Sequence, residues 1–309
     1  MARIVLWRPM YDQRAVEALV AAGHLVEVVN SSAPRRICAA LGNADALWVR
    51  TPERVTAEIL NCAPRLRFIS TSGRGTDNID IDEARRRKIT VVNHAGLGRV
   101  PVSEHAIMLA MWLLHNVIDS DARTLATRVA GIVGMGSIGS EIARKLVSGF
   151  GCDVVTYSRD QRLLAPILGT RSAKSPEEVF SSADVLFLAG AWNRSIGYRV
   201  GTAELDLLSP GSIVVNVARG KLLDHDAVHR ALRQKRLAGV GLDTVDPEPL
   251  PPGHPLLGHP KVVLTPHTGG LSVETNTRAS FAAADALIDL LAGKATGRQS
   301  RPHNTIHPA

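Results

Sequence analysis

Three residues toward the end of the chain carry the side chains needed to move a proton on an anionic carbonyl compound: Arg219, Glu248 and His267. Histidine exchanges a proton near neutral pH. A carboxylate beside it raises its pKa and fixes its tautomer. Arginine offers a planar fork that fits a 2-oxo-carboxylate. Reduction of a 2-keto acid needs a proton at the developing alkoxide and a fixed cation for the carboxylate and carbonyl, beside a hydride donor. The three residue types match those needs. Each also has a plainer reading. Arg219 pairs on the surface, Glu248 is a loop acid before Pro249, and His267 satisfies backbone groups.

The stretch Gly131-Ile-Val-Gly134-Met-Gly136-Ser137-Ile138-Gly139 is placed to hold a hydride-carrying dinucleotide. It follows an apolar strand and opens a helix, the context a Gly-x-Gly-x-x-Gly turn requires. Gly134 permits the tight turn, Gly136 lets backbone N–H groups approach a pyrophosphate, and Gly139 lets helix and strand pack closely. The helix N-terminus adds partial positive charge beneath the phosphates. An acid at the end of the next strand bonds a ribose 2′-hydroxyl and favours NAD. Here that strand runs Val154-Val-Thr-Tyr157-Ser158-Arg159-Asp160. Ser158 occupies the acid position and Arg159 follows it. A hydroxyl and a guanidinium suit a 2′-phosphate, so NADP is the expected cofactor and NAD the alternative. In the alternative, Arg159 is merely exposed and Asp160 takes the ribose.

These residues need a frame of alternating strands and helices. Apolar runs at Arg3 to Trp7, Leu25 to Val29, Ala46 to Val49, Arg67 to Ser70 and Thr90 to Val92 read as strands, with a helix near Asp12 to Ala22. Pro101 opens a long helix to about Ile118, apolar almost all round and therefore expected to be buried between elements. A second series has strands at Ala130 to Val133, Val154 to Tyr157, Val185 to Leu188, Ile213 to Asn216, Gly239 to Leu242 and Val262 to Leu264. Its helices fall near Ile138 to Val147, Pro176 to Phe180, Asp224 to Arg233 and Val273 to Leu291. The alternation predicts an α/β fold with parallel sheets. The tail from Gly293 reads as extended or loose. The catalytic candidates all fall at or just after predicted strand ends, the edge where parallel sheets bind ligands.

Length and composition are consistent with this frame. The chain has 309 residues, natural for two domains, with 45% hydrophobic and 21% charged residues. The net charge of +7 suits anionic substrates and a phosphate-rich cofactor. Basic residues are scattered apart from Arg85-Arg86-Arg87-Lys88, which follows Asp82 and Glu83 as on a solvated helix face, so no nucleic-acid partner is expected. The longest apolar stretch, Ala106 to Leu114, is too short to span a bilayer, and no membrane association is expected. No signal peptide is read at the N-terminus, and the expected location is cytoplasmic. Cys38, Cys62 and Cys152 show neither disulfide nor zinc spacing and read as isolated thiols; no metal is expected.

Four stretches together resemble the D-isomer-specific 2-hydroxyacid dehydrogenase family, in its glyoxylate/hydroxypyruvate reductase-like branch. They are Ser72-Gly-Arg-Gly-Thr-Asp-Asn-Ile-Asp80, the turn from Gly134 to Gly139, Val215-Asn-Val-Ala-Arg219-Gly-Lys-Leu-Leu-Asp224, and Gly241-Leu-Asp243-Thr-Val-Asp-Pro-Glu248-Pro with Leu264-Thr-Pro-His267-Thr-Gly-Gly270. The resemblance implies two Rossmann-like, doubly wound domains with a cleft between them. Residues 1–98 plus 272–309 would form a discontinuous substrate domain, and 99–271 the dinucleotide-binding domain. It implies that Arg219 binds substrate, His267 is the acid/base and Glu248 its partner. It places Ala218 and Asp243 against the cofactor, Asp243 having a structural cap as its alternative. It gives Arg74 and Gly75 to the substrate carboxylate, with Gly73 to Gly75 as an N–H nest. Arg74 stands where the family usually has a small apolar or aromatic residue, and Arg99 follows Gly98, which replaces a frequent asparagine; the two arginines suggest a substrate with a second anionic group, the alternative being that both point to solvent. Members usually dimerise, and a homodimer is expected. Two departures bear on this picture. The segment Asp119 to Arg128 is shorter than the family pattern, which puts dimerisation and domain closure in doubt. The stretch from Phe187 to Trp192 and Asn193 lacks the usual His and Pro. A Glu at 248 argues against formate oxidation, whose enzymes resemble a Gln–His pair. The other class of function this fold serves is a dinucleotide-sensing, corepressor-like binding protein with little turnover.

Overall fold

The computed structural model describes residues 1–73, 75–115, 122–160, 169–190, 199–294 and, for the backbone, 303–306. The chain forms two compact units, Met1–Gly98 with Leu271–Ala309, and Arg99–Gly270. The division falls one residue before the expected 271/272 boundary.

The first unit begins with β1 (Arg3–Trp7), α1 (Gln13–Ala21), β2 (Leu25–Val29), α2 (Pro34–Leu41), β3 (Ala46–Val49), α3 (Ala57–Asn61), β4 (Phe68–Thr71), α4 (Ile81–Arg86) and β5 (Thr90–His94). The five strands are parallel, in the order β2-β1-β3-β4-β5. Strand side chains alternate, and here both sets are apolar. Ile4, Leu6, Ala46 and Trp48 pack on one face against Leu19 of α1, while Val5, Trp7, Leu47 and Val49 pack on the other against Ile37 and Leu41 of α2. A strand buried on both faces reads as a continuous apolar run, the mark of a doubly wound parallel sheet. Arg85 and Arg86 pair with Asp82 and Glu83 along α4, and Arg87 at its end pairs with Glu83, so the arginines of the basic run are ion-paired on their own helix.

The second unit contains α5 (Arg99–His115), β6 (Val129–Val133), α6 (Ser137–Lys145), β7 (Asp153–Tyr157), β8 (Thr170–Ser172), α7 (Pro176–Ser182), β9 (Val185–Leu188), α8 (Thr202–Leu207), β10 (Ser212–Asn216), α9 (His225–Arg233), β11 (Leu237–Leu242) and β12 (Val262–Leu264). Its seven strands are parallel, in the order β8-β7-β6-β9-β10-β11-β12. The order reverses between β6 and β9, and such a switch point opens a crevice at the carboxyl ends of the strands. α5 lies on β10, β11 and α6. It buries Ala106, Leu109 and Ala110 but leaves Met108 and Trp112 at 47% and 60% exposure, so its apolar surface is not fully enclosed as expected.

Two elements complete the first unit: α10 (Val273–Leu291), which packs on α1, β4 and β5, and β13 (His303–Ile306). β13 pairs antiparallel with β5 and closes the edge of a six-stranded sheet, so this part of the tail takes the extended of the two forms expected. The reading of three isolated thiols is also corrected. Cys38 on α2 and Cys62 at the end of α3 form a disulfide with Cα atoms 5.0 Å apart, and Cys152 is a buried free thiol. The pairing escaped the spacing because the β-α crossover brings two consecutive helices side by side.

Among the described residues, no helix is long and apolar enough to cross a membrane, and no group of three His, Cys, Asp or Glu side chains is placed to hold a metal ion.

Candidate active site

Three neighbouring strands of the second unit each deliver a candidate at the carboxyl edge of its sheet. After β10, the fully buried Asn216 shapes the chain. Its Oδ1 accepts from Ala218 N–H at 3.1 Å, and its Nδ2 donates to the Arg219 carbonyl at 3.0 Å. This side-chain turn holds the backbone of the half-buried Arg219, whose Nη1 donates to the Ala218 carbonyl at 2.8 Å.

After β12 the chain turns sharply at His267, which has φ of 54°, and His267 N–H donates to the Thr265 carbonyl at 2.9 Å. A non-glycine residue in the left-handed region costs on the order of 1–3 kcal/mol and persists where its surroundings over-determine it. His267 Nδ1 lies 3.0 and 3.2 Å from the two oxygens of Glu248. Their side chains are 43% and 42% exposed. The Glu248 hydrogen bond pushes the His267 pKa above its ordinary value against the opposing effect of burial. The charges of Glu248 and Asp243 push in the same direction, and that of Arg219 opposes them. With Nδ1 engaged, Nε2 is the ring nitrogen left for a ligand.

Asp243, directly after β11, is only 3% exposed. Its carboxylate accepts from Thr265 Oγ1 at 2.7 Å, Thr268 N–H at 2.9 Å and Gly269 N–H at 3.0 Å. These hydrogen bonds cap the turn that carries His267. His105 of α5 joins this group, with Nε2 2.8 Å from Thr265 Oγ1 and 3.3 Å from Asp243 Oδ1. Sequence reasoning missed His105 and Thr265. Thr265 stood inside a motif that drew attention to His267, and His105 lies 160 residues away from Thr265 with no periodicity to connect them.

The glycine-rich turn lies at the switch point. Gly134, with φ of 102°, packs against Gly190 beyond β9, and its N–H donates to the Tyr157 carbonyl at 2.8 Å. Gly136 caps α6, so Ser137, Ile138 and Gly139 form the first turn, where helix N–H groups lack intrahelical acceptors. After β7, Ser158 is buried and Arg159 exposed, with Asp160 half-buried between them and residues outside the described set. Arg99 is exposed at the start of α5, and its charge acts on Glu141 of α6. Gly75 belongs to the first unit. Arg74, Trp192, Asn193 and 119–121 lie outside the described residues.

The segment beyond Glu248 is anchored on α9. Leu250 and Leu256 enter the core, and the rings of His254 and His259 meet those of His225 and His229 edge-to-face, with centroids 5.8 and 6.4 Å apart. His225 is 5% exposed. Burial pushes its pKa below the ordinary 6.5, helped by His254 and Arg199 and opposed by Asp246 and Asp224. A histidine held neutral in the fold takes up its proton more readily when unfolded. Stability is therefore lost as pH falls through 6.5 toward the depressed folded pKa. His267, whose pKa is raised, acts in the opposite sense: its contribution is present at low pH and is lost as pH rises. A comparison with His225→Gln isolates the first effect. The wild-type Tm should drop by a few degrees more than the variant's between about pH 7.5 and 5.5. Parallel curves would remove His225 from the acid response.

A doubly wound sheet with a glycine-rich turn at its switch point and a His–Glu pair on the same edge is the arrangement of a dinucleotide-dependent oxidoreductase. Comparison with known proteins specifies which. The family described as D-isomer specific 2-hydroxyacid dehydrogenase, NAD binding domain, matches residues 99–269. The chain is 32% identical over 273 residues to a glyoxylate reductase of Aeropyrum pernix, covering 81% of each. It is 32% identical over 305 residues to a D-3-phosphoglycerate dehydrogenase of Mycobacterium leprae, covering 92% of this chain and 56% of that one. Among solved structures, the TT0316 protein of Thermus thermophilus superposes with a TM-score of 0.85 at 29% identity, over 94% of this chain and 97% of that one. The chain belongs to the D-isomer specific 2-hydroxyacid dehydrogenase family, a family of NAD(P)-dependent hydroxyacid oxidoreductases.

Proposed function

We propose that the protein interconverts a small 2-keto acid and its 2-hydroxy acid, with His267 as acid/base, Glu248 as its partner and Arg219 as the binder of the substrate carboxylate. The observation that carries this reading is the 3.0 Å contact between His267 Nδ1 and Glu248 on the edge that also carries the glycine-rich turn. The residues fit a dinucleotide. Gly134 makes the tight turn, packed against Gly190 where no Cβ would fit, and the first turn of α6 beyond Gly136 offers N–H groups for a pyrophosphate. Bound there, a nicotinamide dinucleotide supplies the hydride for C2 of the keto acid.

The chain's own residues do the rest. Glu248 holds the His267 ring through Nδ1 and favours its protonated form. His267 delivers the Nε2 proton to the carbonyl oxygen in reduction and takes it back in oxidation. The Arg219 guanidinium neutralises the substrate carboxylate and orients its carbonyl.

NADP is the preferred cofactor in this reading, because Ser158 stands in place of an acid and the exposed Arg159 follows it. The test is oxidation of NADPH and of NADH against a panel of 2-keto acids including glyoxylate, pyruvate and hydroxypyruvate. Turnover is expected, with kcat/KM for NADPH at least about tenfold above that for NADH, the effect of a favourable contact worth about 1.4 kcal/mol. A strong NADH preference overturns the cofactor assignment. Tight dinucleotide binding without turnover on any acid overturns the reaction and favours a binding protein.

A further inference from the structure

We infer that His105 and Thr265 are positioning residues that, through Asp243, hold the turn on which His267 stands. The inference rests on the acid/base reading of His267 and extends it to His105 on α5.

Asp243 and Thr265 leave adjacent parallel strands side by side, since Leu242 of β11 is in register with Leu264 of β12. The Thr265 hydroxyl has one hydrogen, and it goes to Asp243 Oδ1 at 2.7 Å. Toward His105 the same oxygen must therefore accept, so His105 carries its proton on Nε2 and donates at 2.8 Å. The result is a directed chain, His105 N–H to Thr265 O–H to the Asp243 carboxylate. That carboxylate also receives the N–H groups of Thr268 and Gly269. Residues 265, 268 and 269 bracket His267 and all end on one buried carboxylate. The left-handed backbone at His267 and its N–H bond to the Thr265 carbonyl are the conformation this bracket imposes. Buried groups linked in such a chain polarise and orient one another.

Losing the His105 donor leaves the Thr265 hydroxyl held by Asp243 alone. Losing the hydroxyl removes the closest donor to Asp243. Either change loosens the turn and lets the His267 ring drift from Glu248. The glycine-rich turn is carried by other strands, so dinucleotide affinity is insulated from this effect.

The test is a set of four variants of the full chain: Thr265→Val, Thr265→Ser, His105→Leu and His105→Gln. Thr265→Val and His105→Leu should lower kcat for 2-keto acid reduction by about 10- to 100-fold, with the Kd for the dinucleotide within about threefold of wild type. The alkaline limb of their pH–rate profiles should shift to lower pH, because His267 loses its fixed contact with Glu248. Thr265→Ser and His105→Gln, which keep the donors, should recover most of the rate and the profile. A ¹³C-histidine NMR titration of His267 reads the same shift without turnover. Wild-type kcat, profile and titration in Thr265→Val and His105→Leu overturn the inference, while inactivity of His267→Ala in the same assay leaves the acid/base reading standing. Retained turnover in His267→Ala overturns that reading instead. Should Thr265→Val fail to fold, His105→Leu and its rescue by His105→Gln decide the matter.

Discussion

Replacing His267 with alanine is expected to cut the rate of 2-keto acid reduction by about 10²- to 10⁴-fold, the usual contribution of a positioned general acid. Dinucleotide binding should stay within about threefold of wild type. The ring offers one nitrogen to Glu248 at 3.0 Å and keeps the other for substrate. The Glu248 hydrogen bond raises its pKa and so favours the protonated form that donates. Because the side chain is 43% exposed and outside the core clusters, its removal should change Tm little. The variant is compared with wild type by steady-state NADPH oxidation and by nucleotide fluorescence titration. Turnover within about tenfold of wild type would remove His267 from the chemistry. Loss of cofactor affinity equal to the loss in rate would recast it as a binding residue.

The second large effect concerns Gly139→Ala. A Cβ built at Gly139 would stand 2.0 Å from the Gly134 carbonyl oxygen and 3.3 Å from Ile132 Cγ2. The first obstacle is backbone, so no rotamer change relieves it. α6 must move away from β6 and carry the first-turn N–H groups of Ser137 and Ile138 out of line with the turn. Overpacking of this kind costs about 1–3 kcal/mol. The expected result is a loss of at least about tenfold in dinucleotide affinity, corresponding to about 1.4 kcal/mol, together with a Tm lower by several degrees. Titration with NADPH and a thermal melt read the two effects separately. Wild-type affinity in a destabilised variant would show that the helix end does not hold the pyrophosphate.

Much of the frame was legible because a strand buried on both faces leaves a local trace. The apolar runs at Arg3 to Trp7, Ala46 to Val49 and Val185 to Leu188 coincide with β1, β3 and β9. The shorter α3 and α8 present too few apolar residues for a helical period to stand out, α4 was legible only through its charge pattern, and β8 and β13 are short and polar. α2 was missed because its apolar positions are few and follow Pro34 and two arginines. The disulfide between Cys38 and Cys62 and the β13–β5 pairing depend on segments that meet only after crossovers close.

The same division runs through the site. The amino-acid sequence alone determined the residue types at the strand ends, the glycines of the turn and the alternation of strand and helix, because each is a local demand of backbone geometry or side-chain chemistry. Tertiary structure alone decided that Asp243 caps the His267 turn, that His105 reaches Thr265 across 160 positions, and that His225 and His254 meet under the segment following Glu248. These contacts join residues far apart in the chain, and their partners are chosen by strand order and register, which only the folded sheet defines.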